Sequence, residues 1–259
     1  MPKFYNPYIG SIGRFFDGDP TLRGYWQLQG NSWDNSGNGN NGTDTSVVYN
    51  QPGFREGVGS AYFNGSAYVS QPLQSNNNST WLFWMKYSTT SGIVGIHGPI
   101  NGSGNYNDRF FATDSNNKPY ARKDTISGGN VAFSPIPMND GLWHHYAVVW
   151  ANVTPGCVQL YIDGKLVSMD TKSTQFDPGV VGLYIGKTVS YSVANNWKDS
   201  YRFTGNICDF AVFNRVLSPA EISQYYNWAI SNPKRNTLII DPSLLYNPAI
   251  SRRRLLLTR

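Results

Sequence analysis

The sequence predicts an all-β fold in which two antiparallel sheets form a sandwich, and three observations support this fold class. Residues 142–150 are a run of aromatic and β-branched residues, apolar on both faces as a central strand requires. Residues 157–162 form a second such run. Asp163-Gly164 then marks a tight hairpin, because a type I′ turn needs positive φ at both central positions. Alternating segments before and after these three strands supply the rest of the two sheets.

The other strands are predicted in order from alternation and turn residues. Residues 24–29 form the first strand, and residues 33–44 follow as a long turn rich in glycine and side-chain oxygens. Residues 60–71 are predicted to form a hairpin around Asn64-Gly65. Residues 80–88 alternate between two faces, one with Trp81, Phe83, Met85 and Tyr87 and the other with Leu82, Trp84 and Lys86. Later strands are expected at residues 92–98, 109–114, 180–186 and 203–213.

One helix is predicted near the end of this body. Ser218-Pro219-Ala220-Glu221 is a capping box with proline at the first helical position, so the serine and glutamate side chains satisfy backbone N–H groups of the first turn. Asn232-Pro233 ends the helix. An apolar stripe is expected to pack on the rim of the sandwich, and its members are Ile222, Tyr225, Tyr226 and Ala229.

The chain divides into an extended N-terminal arm (residues 1–23), the β-sandwich body (24–232) and a basic, apolar C-terminal tail (233–259). The arm has no periodicity but many large apolar residues, which must lie on the body or on a neighbour. The tail has short apolar patches of the kind that dock on a partner protein. In one alternative its Arg run binds a nucleic acid or an acidic protein surface. In the other the Arg run is a solvated basic end. The candidate docking residues are Phe4, Tyr5, Tyr8, Phe15, Phe16, Leu244, Leu245, Tyr246, Arg252, Arg253 and Arg254.

Charge and cysteine content narrow the function classes. The net charge is +5, but residues 1–232 carry 15 basic and 15 acidic residues, whereas the tail carries 6 basic and 1 acidic. The body therefore gives no reason to expect nucleic-acid binding. No secretion signal and no apolar run of membrane length are seen, so cytoplasmic synthesis is expected. Two cysteines, Cys157 and Cys208, exclude a disulfide framework, and two buried thiols are favoured over one bridge.

Several blocks together resemble the laminin-G-like modules of the concanavalin A-like lectin and glucanase superfamily. They are G-Y-W-Q-L-Q-G, W-D-N-S-G-N-G-N-N-G-T, G-S-A-Y-F-N-G-S-A-Y-V, D-G-L-W-H-H-Y-A-V-V-W, L-Y-I-D-G-K-L-V and F-T-G-N-I-C-D-F-A-V-F-N-R-V-L-S-P-A-E-I. The resemblance covers about residues 24–230 and implies a jelly-roll sandwich. The superfamily includes glycan binders, adhesion modules, glycosidases and parts of viral particles, so the fold alone does not choose among them.

The residues argue against catalysis. Enzymes that this superfamily includes cleave β-glucans with two glutamates near an aspartate. This chain has only Glu56, in a glycine-flanked turn, and Glu221, in the helix cap. His144 and His145 are neighbours on a strand, so they point to opposite faces and cannot share a metal ion. With the isolated His97, they are interpreted as structural.

Calcium is the one cofactor considered. Residues 34–39 imitate the opening of an EF-hand loop, but Thr45 stands where glutamate is needed and no helices flank the loop. The resemblance implies a rim site that uses an acidic residue before the last helix. Cys208 stands at that point and Asp209 follows it. Asp34 and Asp209 are therefore the candidate calcium ligands of a weak site, and no other cofactor is predicted.

A glycan site is expected where aromatic rings lie beside amides on loops. The candidates are Trp33, Tyr106, Asn107, Tyr191, Asn195, Asn196 and Trp197. The alternative is that Trp33 and Trp197 pack at the sandwich edge. The leading hypothesis is a non-catalytic jelly-roll protein that decorates or builds a larger particle, with a virion or phage surface favoured. Its arms would contact other proteins or copies of itself, and glycan attachment would be a further role. A free carbohydrate-binding lectin is the alternative, and a glycosidase is third.

Overall fold

The structure is a computed structural model that describes residues 12–71, 73, 78–88, 109–123, 130–151, 158–170, 183–192 and 196–231. At residues 188–192 and 196–201 only the backbone is described. The elements in chain order are α1 (Ile12–Phe15), β1 (Leu22–Trp26), β2 (Thr43–Thr45), β3 (Val48–Pro52), β4 (Gly59–Asn64), β5 (Tyr68–Gln71), β6 (Ser79–Lys86), β7 (Arg109–Thr113), β8 (Pro119–Lys123), β9 (Asn130–Phe133), β10 (His144–Trp150), β11 (Val158–Ile162), β12 (Lys165–Asp170), β13 (Leu183–Ile185), β14 (Lys187–Ser192), β15 (Asn196–Arg202), β16 (Thr204–Phe213) and α2 (Pro219–Ser231).

An eight-stranded antiparallel sheet forms one layer of the molecule. Its strand order is β12-β11-β10-β6-β16-β4-β3, and β1 also pairs with β16. The ten-residue strand β16 pairs with β4 through its first half and with β1 through its second half, and its register against β6 shifts between Cys208 and Ala211. The three strands β10, β11 and β12 confirm the predicted hairpin, with Asp163 and Gly164 both at positive φ.

Two smaller sheets, β13-β5-β2 and β7-β8-β9, cover the inner face of this layer, and β14-β15 forms a separate two-stranded sheet. The inner core contains alternate residues of β6, Trp81, Phe83 and Met85, together with Val69 of β5 and Ile185 of β13. Because inward-facing side chains of both layers meet in one core, the predicted two-sheet antiparallel sandwich is confirmed.

The outer face of the large sheet is covered by the two helices. Leu82 and Trp84, the other face of β6, lie in a second core with Ile222 and Tyr225 of α2. The capping box is confirmed: the Ser218 N–H donates to Glu221 Oε2 (2.7 Å), and the Glu221 N–H donates to Ser218 Oγ (3.2 Å). The helix packs on the outer face of the sheet and not on the rim, because its apolar stripe is buried against outward-facing side chains of the central strands β6 and β10.

Three local predictions are wrong. Residues 60–71 do not form a hairpin: β4 belongs to the large sheet and β5 to a smaller one, so the Asn64-Gly65 turn carries the chain from one layer to the other. Asn64 Oδ1 accepts N–H donations from Ser66 and Ala67 in this turn. The N-terminal arm is not extended throughout, because α1 begins at Ile12, and β1 begins at Leu22 and not at residue 24.

The second half of the arm is part of the body. Phe16 is buried against Phe213 and Tyr225, with ring centroids 4.8 and 5.9 Å away, and Phe15 packs against Tyr225 and Trp228. The guanidinium of Arg215 links Asp19 to Glu221, at 2.7 Å from each carboxylate. The apolar residues of the arm were expected to lie either on the body or on a neighbouring molecule. Residues 15–23 lie on the chain's own body.

Some predicted features lie outside the described residues: the strand at 92–98, the whole tail (233–259) with its docking residues, the docking residues Phe4, Tyr5 and Tyr8, and Cys157. Cys208 carries a free, buried thiol, and burial raises its pKa well above the usual value. No helix in the described ranges is long and apolar enough to cross a membrane.

Candidate glycan-binding site

The loop of residues 30–42, between β1 and β2, is built around the carboxylate of Asp34. Asp34 Oδ1 accepts N–H donations from Tyr25 (3.0 Å) and Ser36 (2.9 Å), and Oδ2 accepts one from Asn40 (2.9 Å). Charge-assisted hydrogen bonds of this kind are among the stronger ones in proteins. One acidic side chain therefore sets the course of a loop that has no regular secondary structure of its own.

Asparagine amides tie the same loop to strand β1. Asn38 Nδ2 donates to the Leu22 carbonyl oxygen and Asn40 Nδ2 to that of Arg23, both at 2.8 Å. The buried Trp26 indole donates in return to the Asn40 carbonyl oxygen (2.9 Å). These bonds satisfy backbone groups that the loop would otherwise leave unpaired, which restricts its motion.

Glycine at position 42 permits the close approach of the loop to β5. A Cβ atom there would lie 2.4 Å from Val69 Cγ1 and 2.8 Å from Ser32 Cβ. The Gly42 N–H donates to the Ser32 carbonyl oxygen (2.8 Å), and Ser32 Oγ donates to the Gly42 carbonyl oxygen (3.0 Å). The two ends of the loop are therefore clamped together.

Trp33 projects from this clamped loop with 66% of its surface exposed. Its indole makes no ring contact with any residue that the structure describes. Asn31, Asn35 and Asn41 each make one hydrogen bond to the backbone of Trp33 or Asp34 and are themselves exposed. The structure thus presents an exposed aromatic ring on a loop whose backbone is anchored by three exposed amides, and its role as a glycan site stays a prediction. We name this arrangement the Trp33 platform.

The other glycan candidates are not brought to this platform by any described contact. Tyr191 of β14 pairs with Trp197 of β15, and Ser192 with Asn196, so three of the candidates share one hairpin at the level of the backbone. Tyr106, Asn107 and Asn195 lie outside the described residues. Their assignment to a glycan site stays a prediction.

The two candidate calcium ligands have other partners. Asp34 is occupied by its three N–H donors. Asp209 is fully buried and accepts a hydrogen bond from the Tyr25 hydroxyl (2.6 Å), and burial raises the pKa of its carboxyl to about 7. Within the described ranges no three His, Cys, Asp or Glu side chains come together as an ion site. The calcium site stays a prediction, tested by a melting curve recorded with calcium and with chelator.

Two polar clusters were not predicted from the sequence. His144 lies between two carboxylates, with Nδ1 2.8 Å from Asp163 Oδ2 and Nε2 3.1 Å from Asp140 Oδ2. The ammonium of Lys187 lies 3.6 Å from the ring centroid of Tyr68 and 4.8 Å from that of Tyr184. The spacing of Asp140 from His144 offers a weak signal for the first cluster. The second joins residues of three strands, so no local pattern reveals it.

His145 and His144 behave in opposite ways, as neighbours on a strand should. His145 is enclosed by Trp84, Tyr225 and Tyr226, and burial lowers its pKa to about 3. For His144, the hydrogen bond to Asp163 raises the pKa, and the bond to Asp140 adds to it. His145 therefore packs in the outer core, whereas His144 is held by carboxylates, and the structural interpretation of both stays a prediction.

Comparison with known proteins agrees with this fold. The model of the concanavalin A-like lectin/glucanases superfamily matches residues 63–223. Rat sushi, von Willebrand factor type A, EGF and pentraxin domain-containing protein 1 is 29% identical over 147 residues, which is 55% of this chain and 4% of that protein. Human neuronal pentraxin-1 is 27% identical over 172 residues, 65% of this chain and 37% of that protein. The chain thus spans only a minor part of these relatives' lengths.

Solved structures share the fold at low sequence identity. Domain 4 of AbnA, a GH43 extracellular arabinanase from Geobacillus stearothermophilus solved with arabinotriose, has a TM-score of 0.61 at 19% identity, covering 80% of this chain and 98% of that one. A structure of botulinum neurotoxin type C, a toxin whose cell entry depends on interaction with two ganglioside molecules, has a TM-score of 0.57 at 14% identity, covering 80% and 51%. With a family model that matches more than half of its length, the chain belongs to the concanavalin A-like lectin/glucanase superfamily.

Proposed function

We propose that this chain is a non-catalytic glycan-binding module and that the Trp33 platform contacts the sugar. The observation that carries the proposal is the exposure of Trp33 on a loop that is already held by internal hydrogen bonds. The flat indole matches the apolar face of a sugar ring, and its N–H can donate to a sugar hydroxyl. The loop needs no rearrangement to present it.

The fold neighbours support this proposal by analogy. One was solved with arabinotriose, and the cell entry of another depends on gangliosides; these are properties of those proteins. The contacts of Glu221 support the proposal that the chain is not a catalyst. Glu221 is engaged by Ser218 and Arg215, and hydrogen bonding to Arg215 lowers its pKa to about 2, so it is a poor general acid.

The test is a glycan array with the purified chain, followed by calorimetry on the ligands found. Trp33→Ala is expected to weaken binding at least about tenfold, because it removes the stacking surface. Phe133→Ala is the matched control, since Phe133 is also a large aromatic residue that is nearly half exposed, but on β9. Binding by Trp33→Ala equal to that of the unmodified chain would refute the platform. Turnover of a β-glucan by the purified chain would refute the non-catalytic part.

A second function, in assembly, is supported by the terminal segments. We propose that residues 1–11 and 233–259, with their apolar residues and the Arg252-Arg253-Arg254 run, attach the body to other proteins or to copies of itself in a larger particle. A virion or phage surface, assembled after cytoplasmic synthesis, is the particle we favour. A freely diffusing lectin is the alternative.

The structure decides where the chain should be cut to test assembly. Deletion of residues 1–11 leaves the contacts of Phe15 and Phe16 intact, whereas a cut at residue 20 would remove them. The full chain and the chains lacking residues 1–11 or 233–259 are compared by light scattering coupled to chromatography. We expect the full chain to associate and the deletions to reduce association. A full chain that stays monomeric, with no effect of either deletion, would support the free lectin.

A further inference from the structure

We propose that the Trp33 platform selects neutral saccharides, which offer an apolar ring face beside hydroxyl groups, over acidic saccharides. This inference rests on the proposed glycan-binding function and adds the chemical class of the ligand. The inference follows from two observations: which polar atoms of the loop already make hydrogen bonds, and which charged residues the loop contains.

The amides beside Trp33 are each held at one end only. Asn31 Oδ1 accepts the Trp33 N–H (3.0 Å), and Asn41 Oδ1 accepts the Asp34 N–H (2.9 Å). Asn35 Nδ2 donates to the Trp33 carbonyl oxygen (3.0 Å). The opposite ends of these exposed side chains, Nδ2 of Asn31 and Asn41 and Oδ1 of Asn35, face solvent with no hydrogen bond to the described residues. They supply donors and an acceptor, the combination that hydroxyl groups need.

The loop offers no positive charge to an acidic sugar. Residues 27–42 contain no lysine or arginine, and Asp34 is the one acidic residue among them. Its carboxylate already accepts three N–H bonds, which leaves little acceptor capacity for a ligand. A ligand carboxylate placed on the platform would lose water without gaining a cation, which is costly. A neutral sugar avoids this cost.

The platform is formed before the ligand arrives. Asp34, Asn38 and Asn40 hold the loop against β1, and Ser32 clamps its end to Gly42. Ordering a flexible loop would subtract from the binding free energy, and here little ordering remains to be done. Specificity therefore depends on the amide ends and on the lack of charge, and not on closure of the loop.

The critical variant is Asn31→Asp in the full chain. An aspartate keeps the oxygen that accepts the Trp33 N–H, so the loop stays anchored, but it lacks the two N–H donors of the amide. Asn64→Asp is the matched control: Asn64 is another exposed asparagine whose Oδ1 accepts backbone N–H groups, in the turn between β4 and β5. Asn41→Asp, which keeps the acceptor for the Asp34 N–H, is the second variant in case Asn31→Asp unfolds.

The probes are neutral trisaccharides, arabinotriose, cellotriose and mannotriose, and acidic ones, sialyllactose and trigalacturonic acid, titrated by calorimetry. We expect at least one neutral probe to bind, with Kd changing less than about twofold between 50 and 500 mM salt, since no ion pair forms. Asn31→Asp should weaken that binding about threefold to tenfold, the loss of one or two hydrogen bonds. Asn64→Asp should leave it unchanged.

The results of these titrations distinguish failure of the neutral-ligand inference from failure of the proposed glycan-binding function. No binding of any glycan, or binding that Trp33→Ala does not affect, overturns the proposed function itself. Binding that needs Trp33 but prefers an acidic probe, weakens with salt and is lost in Arg23→Gln overturns the neutral-ligand inference alone. Folded Asn31→Asp or Asn41→Asp chains that bind as tightly as the unmodified chain overturn the role of the amides.

Discussion

Asp209 carries a carboxyl group that solvent does not reach, on a residue with φ of +50° inside the register shift of β16. The Tyr25 hydroxyl donates to one of its oxygens (2.6 Å), and the other has no hydrogen-bond partner among the described residues. Burial raises the pKa of this carboxyl to about 7, while the hydrogen bond from Tyr25 and the charge of Arg55 act in the opposite direction. Below this pH the neutral acid suits its surroundings better than the carboxylate does.

The pH dependence of stability is predicted to reflect Asp209. Its pKa is higher in the folded protein than in the unfolded chain, so its stabilising contribution is complete below about pH 4 and is lost as the pH rises through about 7. Asp209→Asn keeps an acceptor for Tyr25 and tolerates positive φ. We expect the variant to exceed the unmodified chain in unfolding free energy at pH 8, by up to about 4 kcal/mol.

Urea denaturation at pH 5, 6, 7 and 8 measures the effect of Asp209→Asn. The difference between variant and unmodified chain should grow with pH and shrink towards pH 5. A constant difference across this range would show that the Asp209 carboxyl does not titrate there. Asp44→Asn is the control, since Asp44 also accepts a tyrosine hydroxyl, that of Tyr49, but is exposed.

The adjacent histidines give a prediction with an internal control. Carboxylates at both ring nitrogens raise the pKa of His144, and burial lowers that of His145 to about 3. In an NMR titration between pH 5 and 9, the His144 ring should titrate above 6.5 and the His145 ring should not titrate. His144 then stabilises the fold below pH 6.5, and this contribution is lost as the pH rises through its folded pKa. A His144 ring that titrates at or below 6.5 would contradict the carboxylate clamp.

At the scale of elements, α2 depends on its cap. The first turn leaves backbone N–H groups unpaired, and Ser218 with Glu221 satisfies two of them. Ser218→Ala is expected to lower the unfolding free energy by about 1 kcal/mol. Because α2 covers the outer core, the loss should appear in the global unfolding transition.

Chemical denaturation followed by tryptophan fluorescence measures the Ser218→Ala effect, since Trp84 lies in that outer core. Ser223→Ala is the control, because Ser223 lies within the same helix and takes no part in the cap. Equal stability of Ser218→Ala and the unmodified chain would mean that Arg215 alone holds the helix start through Glu221.

Element prediction failed at Asn64-Gly65 for a physical reason. The pair supplies positive φ at Gly65 and an Asn acceptor for the next N–H groups, which is what any tight turn needs. A hairpin and a crossing between layers share this local chemistry. Gly65 instead donates to the Phe203 carbonyl oxygen, a contact with a residue far along the chain. That contact and the pairing of β4 with β16 and of β5 with β13, all distant in sequence, distinguish the crossing from a hairpin.

For the whole molecule, the two faces of the large sheet are buried by different partners. The inner face meets the smaller sheets, and the outer face meets α1 and α2. Phe16 joins the N-terminal segment to this outer core, at 7% exposure, and Asp19 reaches α2 through Arg215. The segment before β1 is therefore a structural part of the domain.

Phe16→Ala tests that conclusion. Removal of a buried phenylalanine from a packed core is expected to cost about 3 kcal/mol of unfolding free energy. Phe133→Ala, at 47% exposure, should cost less than about 1 kcal/mol. Thermal or urea unfolding of the two variants beside the unmodified chain measures the contrast. If the Phe16→Ala chain is as stable as the Phe133→Ala chain, the segment before β1 is not a structural part of the domain. The whole arm would then be interpreted as a partner-docking segment.

The sequence by itself determined the central strands of the large sheet, the capped helix and the family, but it did not predict β3, β8, β9, β14 or β15. These features depend on residues close along the chain, such as the faces of 80–88 and the box at Ser218, because local periodicity and turn chemistry act over a few residues. It also determined Trp33 as a candidate ring and the lack of charge around it.

The tertiary structure alone decided which side chains are exposed and which are used. It buried Phe16 and Asp209, placed His144 between two carboxylates, and left Trp33 in solvent beside half-engaged amides. The burial of a side chain, its pKa and its unused hydrogen-bonding groups are set by neighbours that are distant in sequence. Local sequence patterns therefore do not specify them.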